Sequence, residues 1–260
     1  MNRTIQALLT NQEENHVLPF FWQHGEDETT LRKMMAVIHD ANCRAVCVES
    51  RPHPDFCGPK WWQDMDIILD EARKRNMKVW ILDDSHFPTG FSNGALKEKP
   101  DKLCRQGIFM NNLHLDSGAG KISLNLKEKG LLKAPAKIAS NPMEAMFFNQ
   151  PPDRVFNDDR VLRVVLNCEE KETELTDLLS GDVLTFDKPK AEAELRVLVA
   201  SRNSGYHRDY INMTQKDSVR VLIDTVYESH WQHYSADFGN TIAGFFSRSE
   251  EHTSELQSRI

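Results

Sequence analysis

A chain of 260 residues has room for one large domain, or for one domain interrupted by another, and for a sizeable buried core. Hydrophobic residues at 40% and charged residues at 27% are ordinary for a soluble globular protein, which excludes a disordered or fibrous class. The formal net charge of −7, with no basic stretch interleaved with aromatics, argues against nucleic acid or an anionic membrane as a partner.

Residues 1–16 are polar and lack the apolar centre of a signal peptide. No stretch reaches the roughly 20 apolar residues of a membrane span. Residues 17–22 (V-L-P-F-F-W) read as a first buried strand, followed by Gln23, His24 and Gly25. Acidic residues 26–28 then stand where a helix N-terminus favours negative charge. Leu31, Met34, Met35 and Ile38 follow at i, i+3, i+4 and i+7, the spacing of a helix with one buried face. Residues 44–49 (R-A-V-C-V-E) form a second strand that ends in Glu49, Ser50, Arg51, Pro52 and His53. Met65, Ile68, Leu69 and Ala72 repeat the helical spacing, and residues 78–83 give a third strand.

The first hundred residues therefore alternate β-α-β-α-β, which implies a parallel sheet with right-handed crossovers. The expected fold class is α/β: a partial (β/α)8 TIM-type barrel carrying an inserted β-rich subdomain. Residues 97–102 are charged and contain Pro100, and beyond them short alternating runs occur at 121–126, 161–166, 183–186 and 195–199. The expected division is 1–96 for the first βα units, 97–205 for the insertion and 206–247 for the continuing barrel. In that last part Thr214 is the expected N-cap, with Asp217 in the capping-box position. Val219, Leu222, Ile223 and Val226 then mark a helix, and residues 241–246 (T-I-A-G-F-F) a fourth strand. Residues 248–258 (R-S-E-E-H-T-S-E-L-Q-S) resemble a translated sequencing adapter, so 248–260 is expected to be an artefactual tail on part of a longer protein.

The five cysteines are scattered without zinc spacing, which points to a reducing cytoplasm. The stretch richest in chemistry is 79–94, V-W-I-L-D-D-S-H-F-P-T-G-F-S-N-G. A buried strand delivering Asp83, Asp84 and His86 into a Pro/Gly loop suits a polar-ligand site at a strand's carboxyl end. Glu49, Arg51 and His53 end the second strand, and His24 the first, so each can share that site. Tyr210 and Asn212 precede the last helix on the same side. Asp83 and Asp84 are neighbours, so they cannot by themselves form the separated carboxyl pair that glycoside hydrolysis needs.

These stretches, with W-W-Q-D-M-D at 61–66, L-T-F-D-K-P at 184–189, D-Y-I-N at 209–212 and F-G-N-T-I-A-G-F-F-S at 238–247, resemble the family 106-like (α-L-rhamnosidase-like) bacterial glycoside hydrolases. The resemblance implies cleavage of O-glycosidic bonds, with α-L-rhamnosides as the expected class, by a carboxylate acid/base pair. It gives Asp83 and Asp84 as the catalytic candidates within this chain. His24, Glu49, Arg51, His53, His86, Tyr210 and Asn212 are the substrate-binding candidates. In such proteins the fourth strand runs into an acidic segment, so the main acid is expected beyond Ser247, and the chain alone is expected to be inactive. No cofactor or metal is called for, with a divalent cation such as calcium left open, and the expected partner is a carbohydrate or glycoside. A non-catalytic carbohydrate-binding protein is the alternative. A metal-dependent hydrolase using His24, His53, Asp83 and His86 ranks lower, because these residues lack a tight ligand spacing.

Overall fold

The structure, a computed structural model, describes residues 17–85, 89–134, 154–204 and 208–247. His86 and the adapter-like run lie outside the described residues. The chain divides into two compact units, Met1–Lys99 with Met213–Ile260, and Pro100–Asn212. The fold is mixed α/β, with a parallel sheet in the first unit and antiparallel sheets in the second.

The first unit is built on strands β1 (Phe20–Trp22), β2 (Ala45–Glu49), β3 (Lys78–Leu82) and β11 (Ile242–Phe246), hydrogen-bonded in that order and all parallel. Helix α1 (Glu28–Asp40) links β1 to β2, and α2 (Pro59–Lys74) links β2 to β3. Asp27 starts α1 by accepting the Thr30 N–H at 3.0 Å, an interaction worth about 1 kcal/mol at a helix N-cap. Pro59 opens α2, where its missing N–H costs nothing. A Cβ at the preceding Gly58 would fall on the Asp55 carboxylate, which itself accepts the Lys60 N–H at 2.9 Å.

Register assigns the two faces of this sheet. Phe20, Cys47 and Trp80 are mutual partners, as are Trp22 and Glu49, so all five point to one side. Phe21, Val46, Val48, Val79 and Ile81 point to the other and are buried with Leu31, Met35, Met65, Ile68 and Leu69 of the helices. In a flat sheet the two outer strands, β1 and β11, would lie about 14 Å apart. Yet the rings of Phe20 and Phe246 meet edge-on at 5.7 Å. The sheet therefore curls, with the helices on its convex side. Unreversed strand order and this curl are what a barrel wall requires, but among the described residues the sheet is four strands wide and open, not a closed barrel.

Three short helical pieces complete this unit: α3 (Lys216–Leu222), one π-helical turn (Ile223–Tyr227) and α4 (Glu228–Tyr234). The helix begins one residue later than expected, with Gln215 at the N-cap position in place of Thr214.

The second unit packs the sheet β4-β10-β6-β7 over the sheet β5-β9-β8. Its strands are β4 (Gly107–Leu115), β5 (Lys121–Asn125), β6 (Arg160–Cys168), β7 (Lys171–Glu174), β8 (Leu179–Ser180), β9 (Val183–Asp187) and β10 (Ala193–Ser201). Alternate residues such as Leu124, Leu184, Leu195 and Val197 fill one apolar core. β4 is absent from the sequence reading because exposed Ile108 and Met110 blur its alternation. The unit's two ends are tied together. Cys104 bridges Ile211, the Arg105 N–H donates to the Tyr210 carbonyl at 2.7 Å, and Arg154 pairs with both Asp101 and Asp209. That tie places residues 209–212 with the second unit, where the sequence reading gave them to the returning barrel, while residues 97–99 end the first unit. No described helix is long and apolar enough to cross a membrane.

Candidate functional site

Strand β3 ends at Leu82, and the two carboxylates that follow are both fully buried. Asp84 organises the loop. Its Oδ1 accepts the N–H groups of Ser85 (2.8 Å) and Asn93 (2.9 Å), and its Oδ2 those of Gly90 (2.9 Å) and Ser92 (2.7 Å). Ser92, Asn93 and Gly94 all have positive φ (54°, 51° and 77°), which wraps the chain tightly enough to aim the N–H groups of Gly90, Ser92 and Asn93 at one side chain. Burial pushes the Asp84 carboxyl above its usual range, against the pull of the four donors. Asp83 is held otherwise: Oδ1 accepts the Thr89 hydroxyl at 2.5 Å and Oδ2 the Tyr227 hydroxyl at 2.6 Å. Burial, with Asp83 and Asp84 close by, raises the Tyr227 phenol well above its ordinary range, so it remains a donor to Asp83.

Beside this loop a cleft of about 420 Å³ is lined by Ser50, Arg51, His53, Phe56, Ser85 and Asn93. The Ser50 hydroxyl donates to the Asp84 carbonyl at 3.0 Å, and the Asn93 amide to the Phe56 carbonyl at 2.9 Å, which fixes the wall. Arg51 is anchored on Glu49, itself 1% exposed, through Nε at 3.0 Å and Nη2 at 2.5 Å. The Arg51 guanidinium also lies 5.6 Å from the centre of the Trp22 ring. Trp22 remains 52% exposed, an aromatic surface against a half-buried ion pair.

The remaining candidates fall in different settings. The His53 ring is buried: Nδ1 accepts the Asp55 N–H at 3.0 Å, so Nε2 carries the proton and donates to Asp64 at 3.0 Å. Asp64 also binds Lys60, and both His53 nitrogens serve the protein itself; His53 lines the cleft through its backbone. His24 keeps a half-exposed ring, with Nδ1 against Glu26 at 2.7 Å. Tyr210 and Asn212 belong to the second unit, where Tyr210 is buried beneath Arg105 and the Asn212 N–H donates to the Leu103 carbonyl at 3.2 Å. Among the described residues, no three His, Cys, Asp or Glu side chains gather as a metal site.

Tyr227 escapes the sequence reading altogether. It arrives from a helix 144 residues downstream of Asp83, on the π-helical turn that breaks the regular period. The following α4 is locked by His230, whose Nε2 accepts the Trp61 indole N–H at 2.9 Å while Nδ1 donates to the Val226 carbonyl at 2.7 Å. Burial among these rings pulls the His230 imidazole down to about 4.

No family model and no curated protein matches the chain. Among solved structures the chain is similar to a rhamnosidase from Novosphingobium sp. PP1Y, at 10% sequence identity and a TM-score of 0.33. That alignment covers 76% of this chain and 26% of the other, so the chain spans about a quarter of the length of that protein.

Proposed function

We propose that the cleft at the carboxyl ends of β2 and β3 binds a carbohydrate, within a protein of the glycoside hydrolase type. The observation that carries this reading is Trp22: a half-exposed indole against Arg51, whose side chain is paired with Glu49 and lines the cleft. A fixed aromatic face suits the C–H face of a pyranose, and the adjoining polar wall suits its hydroxyls. The family resemblance of the surrounding motifs favours a deoxy sugar such as rhamnose.

The same geometry favours binding over catalysis by Asp83 and Asp84. Hydrolysis needs a carboxyl group in reach of the leaving oxygen and a second one across the sugar. The oxygens of Asp84 are taken by four backbone donors and those of Asp83 by two hydroxyls. Both carboxylates act here as supports of the cleft wall, and the chain by itself is a sugar-binding protein.

Calorimetric titration with L-rhamnose, its p-nitrophenyl α-glycoside and unrelated monosaccharides tests the proposal. Saturable heat is expected with at least one sugar. It is expected to fall at least about ten-fold in Trp22→Ala, an exposed position where truncation leaves the circular dichroism unchanged. No heat with any sugar, or full affinity in Trp22→Ala, overturns the binding site. Release of p-nitrophenol above the uncatalysed rate overturns the non-catalytic roles of Asp83 and Asp84.

A further inference from the structure

On the convex side of the first unit, away from the sugar cleft, the rings of Tyr227, Phe245, Phe238 and Trp231 follow one another. Their centroids are 4.2, 5.5 and 5.3 Å apart, and their planes differ by 39°, 34° and 43°. The register explains the side: Phe245 partners Ile81, which faces the helices. Together the four rings and Glu228 line an open cleft of about 260 Å³. Trp231 is 52% exposed, so this aromatic wall faces solvent and is not closed over by the described residues.

Among the residues lining this cleft, Glu228 is the one that carries charge. Arg220 is the partner of two carboxylates, Asp224 at 2.7 Å and Glu228 at 3.4 Å, so one guanidinium answers two negative groups. Ring faces carry negative potential as well, and a cation placed over a face within about 6 Å of its centroid gains from that ring. An uncharged apolar ligand would gain nothing from the carboxylate, and an anion would be repelled by it.

We propose that this cleft is a binding site for a small quaternary ammonium compound, with its methylated nitrogen against Trp231, Phe238 and Phe245 and its charge answered by Glu228. A cation of this class presents methyl groups to the rings and has no N–H that needs a hydrogen-bond acceptor, which suits a wall with one carboxylate and four aromatic side chains. The site uses none of the groups proposed for sugar contact, so either can fail without the other.

Choline titrated calorimetrically into the full chain tests the proposal, with 3,3-dimethylbutan-1-ol as the neutral compound of the same shape. Saturable binding of choline is expected, at least about ten-fold tighter than that of the neutral compound. Glu228→Gln is expected to weaken choline several-fold, and Trp231→Ala to abolish binding. Trp231→Tyr, which retains a ring, is expected to bind within a few-fold of the parent and guards against misfolding as the cause of loss. Equal affinity for the neutral compound, unchanged binding in Trp231→Ala, or no saturable binding of choline overturns the proposal. A Trp231-dependent dimer in sedimentation that leaves choline unbound also overturns it, and assigns the wall to a second copy of the chain.

Discussion

The two units solve the problem of burying a sheet in opposite ways. In the second, two antiparallel sheets face each other and alternate residues meet in a common core, so Leu184, Leu195 and Val197 are fully buried with partners from the same unit. In the first, the crossover helices pack on the convex side of the parallel sheet. Its concave side carries Phe20, 46% exposed, and Trp22, 52% exposed. Parallel sheets are ordinarily covered on both faces. The difference teaches where function can be placed: the sandwich fills the space between its sheets with its own side chains, whereas the parallel sheet presents strand ends, an aromatic surface and a cleft.

Truncating a residue on each surface gives the sharpest contrast. Leu195→Ala is expected to cost about 2–5 kcal/mol in urea unfolding, because it leaves a cavity between two sheets. Phe20→Ala is expected to cost about 1 kcal/mol or less, since the ring is half in water and touches Phe246 edge-on. Equal costs would mean that the concave face is packed as a core, and the comparison would fail.

Acid separates the units by another route. His230 is neutral in the fold, with its imidazole drawn down by burial to about 4 from its ordinary 6.5. A base with a lowered folded pKa contributes stability that is present above the unfolded value and lost as pH falls toward the folded one. The expected loss is roughly 3 kcal/mol between pH 6.5 and 4, read by urea titration across that window. His230→Gln, which retains an acceptor for the Trp61 indole, is expected to flatten that slope. An equally steep slope in the variant would place the acid sensitivity elsewhere.

A smaller effect is expected at the loop after β3. Asp84→Asn replaces one acceptor oxygen by an N–H₂ group facing backbone donors, at a cost of about 1–3 kcal/mol. Hydrogen exchange at the Gly90, Ser92 and Asn93 amides should quicken while that of the second unit's strands stays unchanged. Unaltered protection at those three amides would show that the loop does not depend on Asp84.

What the sequence by itself determined are the features encoded within a few residues. Alternation and the i, i+3, i+4 spacing place three of the four parallel strands and both crossover helices close to their observed limits, because those periods follow from local backbone geometry. The same holds for the Asp84 loop, whose Gly90, Ser92, Asn93 and Gly94 lie within ten residues of the carboxylate they surround. The positions of Glu49 at the end of β2 and of Arg51 just after it were legible.

Only the tertiary structure decided which groups these residues meet. Tyr227 reaches Asp83, and His230 reaches Trp61, across 144 and 169 positions. His53 turns from the cleft to Asp64 because burial requires both ring nitrogens to be satisfied. Tyr210 joins the second unit because residues 101–105 and 209–212 bind each other. The curl that brings Phe20 to Phe246 belongs to the whole sheet and to no single strand. A periodic pattern states that a side chain is buried or points outward; its partner depends on packing between segments far apart in sequence, which no local period records.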